Sequence, residues 1–203
     1  DLKLLRGLAT KKQRRLTGLF LVQGEKNVLE LLESSLSVEK LYVSASFENQ
    51  HQTVIEPFAY TVVSEEELTK ASSITSNNAA IAIVKQPNYN LDDVSGLVIA
   101  LDDVNDPGNL GTIMRLADWY GVKHILLSEK TADVFNPKTI SATMGAFTRI
   151  QTHKLNLESY LKETSLPIYG AFLEGESVHS CQFKSDGIIV MGNESHGISS
   201  NIK

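Results

Sequence analysis

An arginine set six residues beyond a glycine-flanked asparagine is the first place where chemistry is legible in this chain. The segment Asn105–Gly121 reads NDPGNLGTIMRLADWYG and follows the apolar run LVIALDDV, Leu97–Val104. The run has the form of a buried strand, and the segment that of a turn opening a helix. Arg115 there is a natural bidentate holder of phosphate. Asn109, between Gly108 and Gly111, can fix Arg115 or a backbone loop, or it can simply cap the helix. Two further loops follow candidate strands and are rich in small and polar residues: LEGESVHS after Phe172, and GNESHG after Met191. Open parallel sheets bind ligands at the carboxyl ends of their strands, so three such loops at one edge would form a pocket.

Other chemistries lack their signatures. There is no GxxxxGK[ST], and no GxGxxG follows the first strand of the second half. The five histidines show no paired ligand spacing, so no metal is expected. Cys181 is the only cysteine, which excludes an internal disulfide, and no base signature adjoins it. Trp119 and Tyr120 are expected to pack rather than to stack on bases.

The elements that must position these residues alternate. Residues 1–16 read as one amphipathic helix carrying Leu2, Leu5, Leu8 and Leu16. Strands are predicted at Gly18–Gly24, Val38–Ala45, Ala59–Ser64 and Ala79–Gln86, with a helix over Glu25–Ser35 and a capping box joining Ser64 to Glu67. QPNYNLDDVSG, Gln86–Gly96, has linker chemistry. It divides the chain into a small α/β domain, 1–90, and a second α/β domain, 91–203. The second half predicts strands at Leu97–Val104, His124–Ser128, Thr148–His153, Pro167–Leu173 and Gly187–Gly192. Helices are expected after Asn105, over Asn136–Ala146 and over Asn156–Thr164. LVIAL and GIIVMG are continuously apolar, as parallel strands buried on both faces require.

The composition is that of an ordinary globular protein, with 42% hydrophobic and 21% charged residues in 203. No apolar run approaches the roughly 20 residues of a membrane span. With no signal-peptide pattern, a cytoplasmic protein without membrane partners is expected. Net charge is −5, yet residues 1–17 set Lys3, Arg6, Lys11, Lys12, Arg14 and Arg15 against Asp1 alone. A basic arm on an acidic body can bring one face to phosphate; a solvated helix face is the plainer reading.

DPGNLGTIMRLADWYG, Asp106–Gly121, resembles motif 1 of the SpoU/TrmH-type RNA 2′-O-ribose methyltransferases of the SPOUT superfamily. VMGNESHGIS, Val190–Ser199, resembles their motif 2, and NPKTISATMGAFTRI, Asn136–Ile150, is similar to the segment between the two. LFLVQGEKNVLELL and VEKLYVS resemble the small ribosomal-protein-L30e-like RNA-binding domain that often precedes the catalytic one. The resemblance covers nearly the whole chain.

The resemblance implies an L30e-like α/β domain followed by a parallel-sheet α/β-knot domain, working as a homodimer. It implies methylation of a ribose hydroxyl in rRNA or tRNA with S-adenosyl-L-methionine. Asn109, Arg115 and Glu194 match the family's catalytic positions. Leu173, Met191, Gly192, Asn193, Gly197 and Ile198 fall where the cofactor is wrapped, and Lys11, Lys12, Arg14 and Arg15 would hold RNA phosphates. The chain ends at Lys203, before the family's third motif, so the expectation is a sequence cut after motif 2 with an incomplete knot. Ser141 stands where relatives often carry arginine. A non-catalytic RNA-binding protein on the same scaffold is the alternative; a small-molecule α/β enzyme is disfavoured by the basic arm and the missing nucleotide fingerprint.

Overall fold

The computed structural model describes residues 2–74 and 77–203 and divides into two compact units, Asp1–Asn88 with Asp133–Thr148, and Tyr89–Ala132 with Arg149–Lys203. The single helix predicted over 1–16 is two helices, α1 (Leu2–Leu8) and α2 (Lys11–Thr17); Asp1, counted in the charge balance, lies outside the described residues. Thr10 makes the break. Its backbone is extended, its Oγ1 accepts from the Gln13 N–H, and its hydroxyl donates to the Gly7 carbonyl at 2.8 Å. A threonine that caps a new helix cannot also continue the old one.

The rest of the first unit builds a four-stranded sheet. Along the chain come β1 (Leu19–Gln23), α3 (Glu25–Leu32), β2 (Val38–Val43), α4 (Ala45–Ile55), β3 (Tyr60–Val62), α5 (Glu65–Ala71) and β4 (Ala80–Lys85). The strand order is β1-β4-β2-β3, with β4 antiparallel to both neighbours and β3 parallel to β2. The capping box at α5 is present: Ser64 accepts from the Glu67 N–H, and the Glu67 carboxylate accepts from the Ser64 N–H. Helix α4 is not foreshadowed by the sequence. Its residues ASFENQHQTVI bury only Phe47 and Ile55, so no apolar stripe announces it, and Ser44 starts it by capping the Phe47 N–H.

The second unit carries a five-stranded, all-parallel sheet. After the linker come β5 (Leu97–Leu101), α6 (Pro107–Trp119), β6 (His124–Leu127), α7 (Pro137–Thr143), β7 (Gln151–Lys154), α8 (Leu157–Glu163), β8 (Ile168–Gly170) and β9 (Gly187–Met191). The strand order is β7-β6-β5-β9-β8, so the direction of winding reverses between β5 and β9. Val98, Ala100, Leu126, Ile188 and Val190 meet Leu157 and Leu161 of α8 in one buried cluster. Among the described residues no helix is long and apolar enough to cross a membrane.

Helix α7 and its flanks lie within the span 91–203 but pack with the first unit. Aromatic burial explains this. Phe20 of β1 meets the Phe135 ring at 4.8 Å and the Phe147 ring edge-on at 6.2 Å. Gly145, at φ +100°, lies so close to Glu30 that a Cβ would collide with its side chain. Arg14 completes the attachment through an ion pair with Asp133 at 2.6 Å.

Candidate active site

The switch between β5 and β9 places two loops side by side at the carboxyl edge of the sheet, where open parallel sheets hold ligands. Past β5 the Asp102 N–H still donates to the Met191 carbonyl at 2.9 Å, extending the β5/β9 pairing by one residue. Asp103 then adopts φ +58° and turns the chain. Asp106 caps α6: its Oδ1 accepts the Asn109 N–H at 2.8 Å, and Pro107 fills the first turn. Because Asp106 is the cap, the Asn109 side chain is released from that structural task.

Asn109 instead reaches the second loop, donating from Nδ2 to Glu194 Oε1 at 2.6 Å. The second loop is a tight return. Asn193 and Gly197 exchange backbone hydrogen bonds at 3.0 and 2.8 Å, and Asn193 Oδ1 accepts the Ser195 N–H at 2.8 Å. Glu194 is thereby held at the tip. Gly197 takes φ +68°, and a Cβ on Gly192 would strike the backbone of Gly197 and Ile198. Both glycines are required by this closure. Asn193 Nδ2 donates to the Asp103 carbonyl at 2.8 Å, and the buried Asp102 carboxylate accepts the Ser199 N–H at 2.6 Å.

These bonds set the electrostatics. The Asn109 amide, and then Glu194's own backbone N–H, hold the Glu194 carboxyl below its ordinary value, against partial desolvation and the nearby Asp106 carboxylate. Arg115 lies on the same helix as Asn109, exposed, with no hydrogen bond or ion pair among the described residues. It contrasts with Arg149, which is committed to Asp118 through bonds of 2.9 to 3.1 Å.

Most of the expected site residues therefore belong to one edge. Asn109 and Glu194 touch, while Met191, Gly192, Asn193 and Gly197 form the return beside them. Leu173 is fully exposed in the loop after β8, which ends at Gly170 rather than at Leu173. The Ile198 side chain is buried in the unit's apolar cluster, leaving its backbone for any ligand.

Two expectations are corrected. Arg14 is not an exposed phosphate holder: it is 2% exposed, pairs with Asp133, and donates to the Leu8 and Ala9 carbonyls at 2.8 and 2.9 Å. Its guanidinium closes the α1–α2 break, whereas Lys11, Lys12 and Arg15 stay exposed. Trp119 and Tyr120 are not packed against the described residues; with Leu116 they form an open stripe at the end of α6, Trp119 being 84% exposed. Sequence analysis did not single out Ser128, which the fold brings to Asp103: the Asp103 N–H donates to Ser128 Oγ and the Ser128 hydroxyl donates to Asp103 Oδ1.

Comparison with known proteins identifies the family. Residues 96–203 match the SpoU rRNA Methylase family, and residues 1–82 match the MRM3-like substrate binding domain. The chain is 31% identical over 197 residues to the 23S rRNA (guanosine(2553)-2′-O)-methyltransferase RlmP of Bacillus subtilis (strain 168), covering 94% of this chain and 78% of that protein. A structure described as a putative RNA methyltransferase of the TrmH family from Porphyromonas gingivalis superposes with a TM-score of 0.87 at 32% identity, covering 99% of this chain and 82% of that one. An AdoMet-bound rRNA methyltransferase from Sinorhizobium meliloti superposes with a TM-score of 0.85 at 28% identity, covering 98% of this chain and 79% of that one. With a bridged pair of strand-end loops and matches that run through both units, the chain belongs to the SpoU family of rRNA methylases.

Proposed function

We propose that this protein methylates a ribose 2′-hydroxyl of ribosomal RNA with S-adenosyl-L-methionine, using Arg115, Asn109 and Glu194 at the edge between β5 and β9. The observation that carries this reading is the 2.6 Å bond between Asn109 and Glu194, which joins the motif 1 helix to the motif 2 return. The donor set fits the cofactor: an exposed apolar side chain at Leu173 for a flat base, a glycine-closed backbone return, and a carboxylate for a cation. When bound, S-adenosylmethionine supplies a methyl group carried on a positively charged sulfur.

The protein's own share is positioning and charge. Arg115 is free to grip a phosphate next to the target ribose and to stabilise negative charge as the hydroxyl oxygen attacks. A guanidinium, with a pKa above about 12, is poorly suited to take the proton itself. Glu194 is a weak base because its carboxyl is held low. Its role is to orient Asn109 and to keep a negative charge beside the methyl donor.

Lys11, Lys12 and Arg15 are assigned to RNA phosphate, supported by their exposure and by the substrate-binding match over residues 1–82. The open stripe of Leu116, Trp119 and Tyr120 supports a homodimer in which a second copy covers it. Calorimetric titration with S-adenosylhomocysteine tests the pocket without RNA. Saturable one-to-one binding per chain is expected; absence of binding would remove the cofactor assignment.

A further inference from the structure

We infer that Ser128 is a positioning residue of the methyl-transfer site, acting through Asp103 on the loop that carries Glu194. The inference rests on the reading of that loop as the cofactor-binding return. Ser128 directly follows β6, a strand that carries none of the motif residues, and it is buried. It meets Asp103 twice. The Asp103 N–H donates to Ser128 Oγ at 2.9 Å, and the Ser128 hydroxyl donates to Asp103 Oδ1 at 2.7 Å. The paired bonds hold Asp103 at φ +58°, a conformation that a non-glycine residue keeps only when its surroundings enforce it.

The enforced turn has a use. It aims the Asp103 carbonyl at Asn193, which donates to it from Nδ2 at 2.8 Å. Asn193 in turn closes the return with Gly197, and Glu194 is the next residue in the chain. The order of dependence is thus Ser128, Asp103, Asn193, Glu194, Asn109. Thr131 steadies the start of it, donating from Oγ1 to the Leu101 carbonyl at 3.0 Å and lying 3.0 Å from Ser128 Oγ. The Lys130 ammonium, 3.5 Å from the Asp103 carboxylate, is too exposed to substitute for the serine.

Removing the Ser128 hydroxyl leaves the Asp103 N–H and one carboxylate oxygen without these partners. Asp103 can then relax toward an ordinary backbone conformation, and the anchor of Asn193 moves with it. The consequence should appear in cofactor affinity and in turnover, since both depend on the placement of the return. A merely structural serine would lower thermal stability and leave the folded fraction working normally.

The experiment compares wild type, Ser128→Ala and Ser128→Thr by S-adenosylhomocysteine calorimetry, thermal melting and methyl transfer to rRNA under saturating cofactor. Wild-type binding comes first, because its failure would overturn the cofactor reading and not the role of Ser128. Given that binding, Ser128→Ala should weaken it roughly tenfold and lower kcat at saturating cofactor, at temperatures where melting shows the variant folded. Ser128→Thr, which keeps the hydroxyl, should recover most of both. Ser128→Ala that binds and turns over like wild type while folded, or Ser128→Thr that is as impaired as Ser128→Ala, would overturn the assignment.

Discussion

At the scale of single residues, the site is defined by which polar groups are already engaged and which are left free. Asn109 is spared from capping by Asp106 and spends its amide on Glu194. Arg115 has no such engagement, so its replacement should cost chemistry and not folding. Arg115→Ala is expected to reduce methyl transfer by about 10²-fold or more, with an unchanged melting temperature; full activity in that variant would sink the mechanism. A second expectation concerns Glu194. Its folded-state carboxyl is lowered chiefly by Asn109. The stabilisation from that hydrogen bond is therefore present above the unfolded-state value and disappears as pH falls through the lowered one. Asn109→Ala should move the Glu194 titration, followed by carboxyl NMR, upward toward its ordinary value. The two loops stand out in the sequence as strand-end segments rich in glycine and asparagine, but the roles expected of Asn109, Arg115 and Glu194 came from the resemblance to the family. The identity of the cap was not legible: DPGN offers both Asp106 and Asn109, and only the backbone decides between them.

At the scale of elements, the sequence revealed what periodicity encodes and hid what a single polar side chain decides. LVIAL and GIIVMG are unmistakable as buried parallel strands. The α1–α2 break turns on one threonine, and α4 buries too few apolar residues to show a stripe. The fate of Arg14 was equally hidden, since in sequence it looks like its basic neighbours. Structure separates them, and the separation is testable. Arg14→Ala would leave Asp133 without its cation and should destabilise the protein by about 3 kcal/mol, read by chemical denaturation. Neutralising Lys11, Lys12 and Arg15 together should leave stability unchanged while weakening RNA binding. It should also flatten the salt dependence, by about 0.9 in the logarithmic slope for each duplex phosphate no longer neutralised. An unaltered salt slope would remove these residues from the RNA interface. The α5 capping box gives a calibration: Ser64→Ala should cost about 1 kcal/mol.

At the scale of the molecule, the chain carries a small mixed sheet and an all-parallel sheet, and sends Asp133–Thr148 from the second part of the sequence back to the first unit. That excursion was beyond sequence reasoning because its cause is the meeting of Phe20 with Phe135 and Phe147, rings more than a hundred positions away along the chain. The open stripe on α6 belongs to this scale too. If a second copy covers Leu116, Trp119 and Tyr120, Trp119→Glu should shift the protein from dimer to monomer in sedimentation. An unchanged sedimentation coefficient would place any dimer interface elsewhere. The most direct test of the proposed activity is mass spectrometry of nucleosides from unmodified ribosomal RNA incubated with the protein and methyl-labelled S-adenosylmethionine. Label in a single 2′-O-methylnucleoside is expected with wild type, formed about 10²-fold more slowly or worse with Arg115→Ala. Label on a base, or equal ribose labelling by both proteins, would contradict a ribose methyltransferase that works through Arg115.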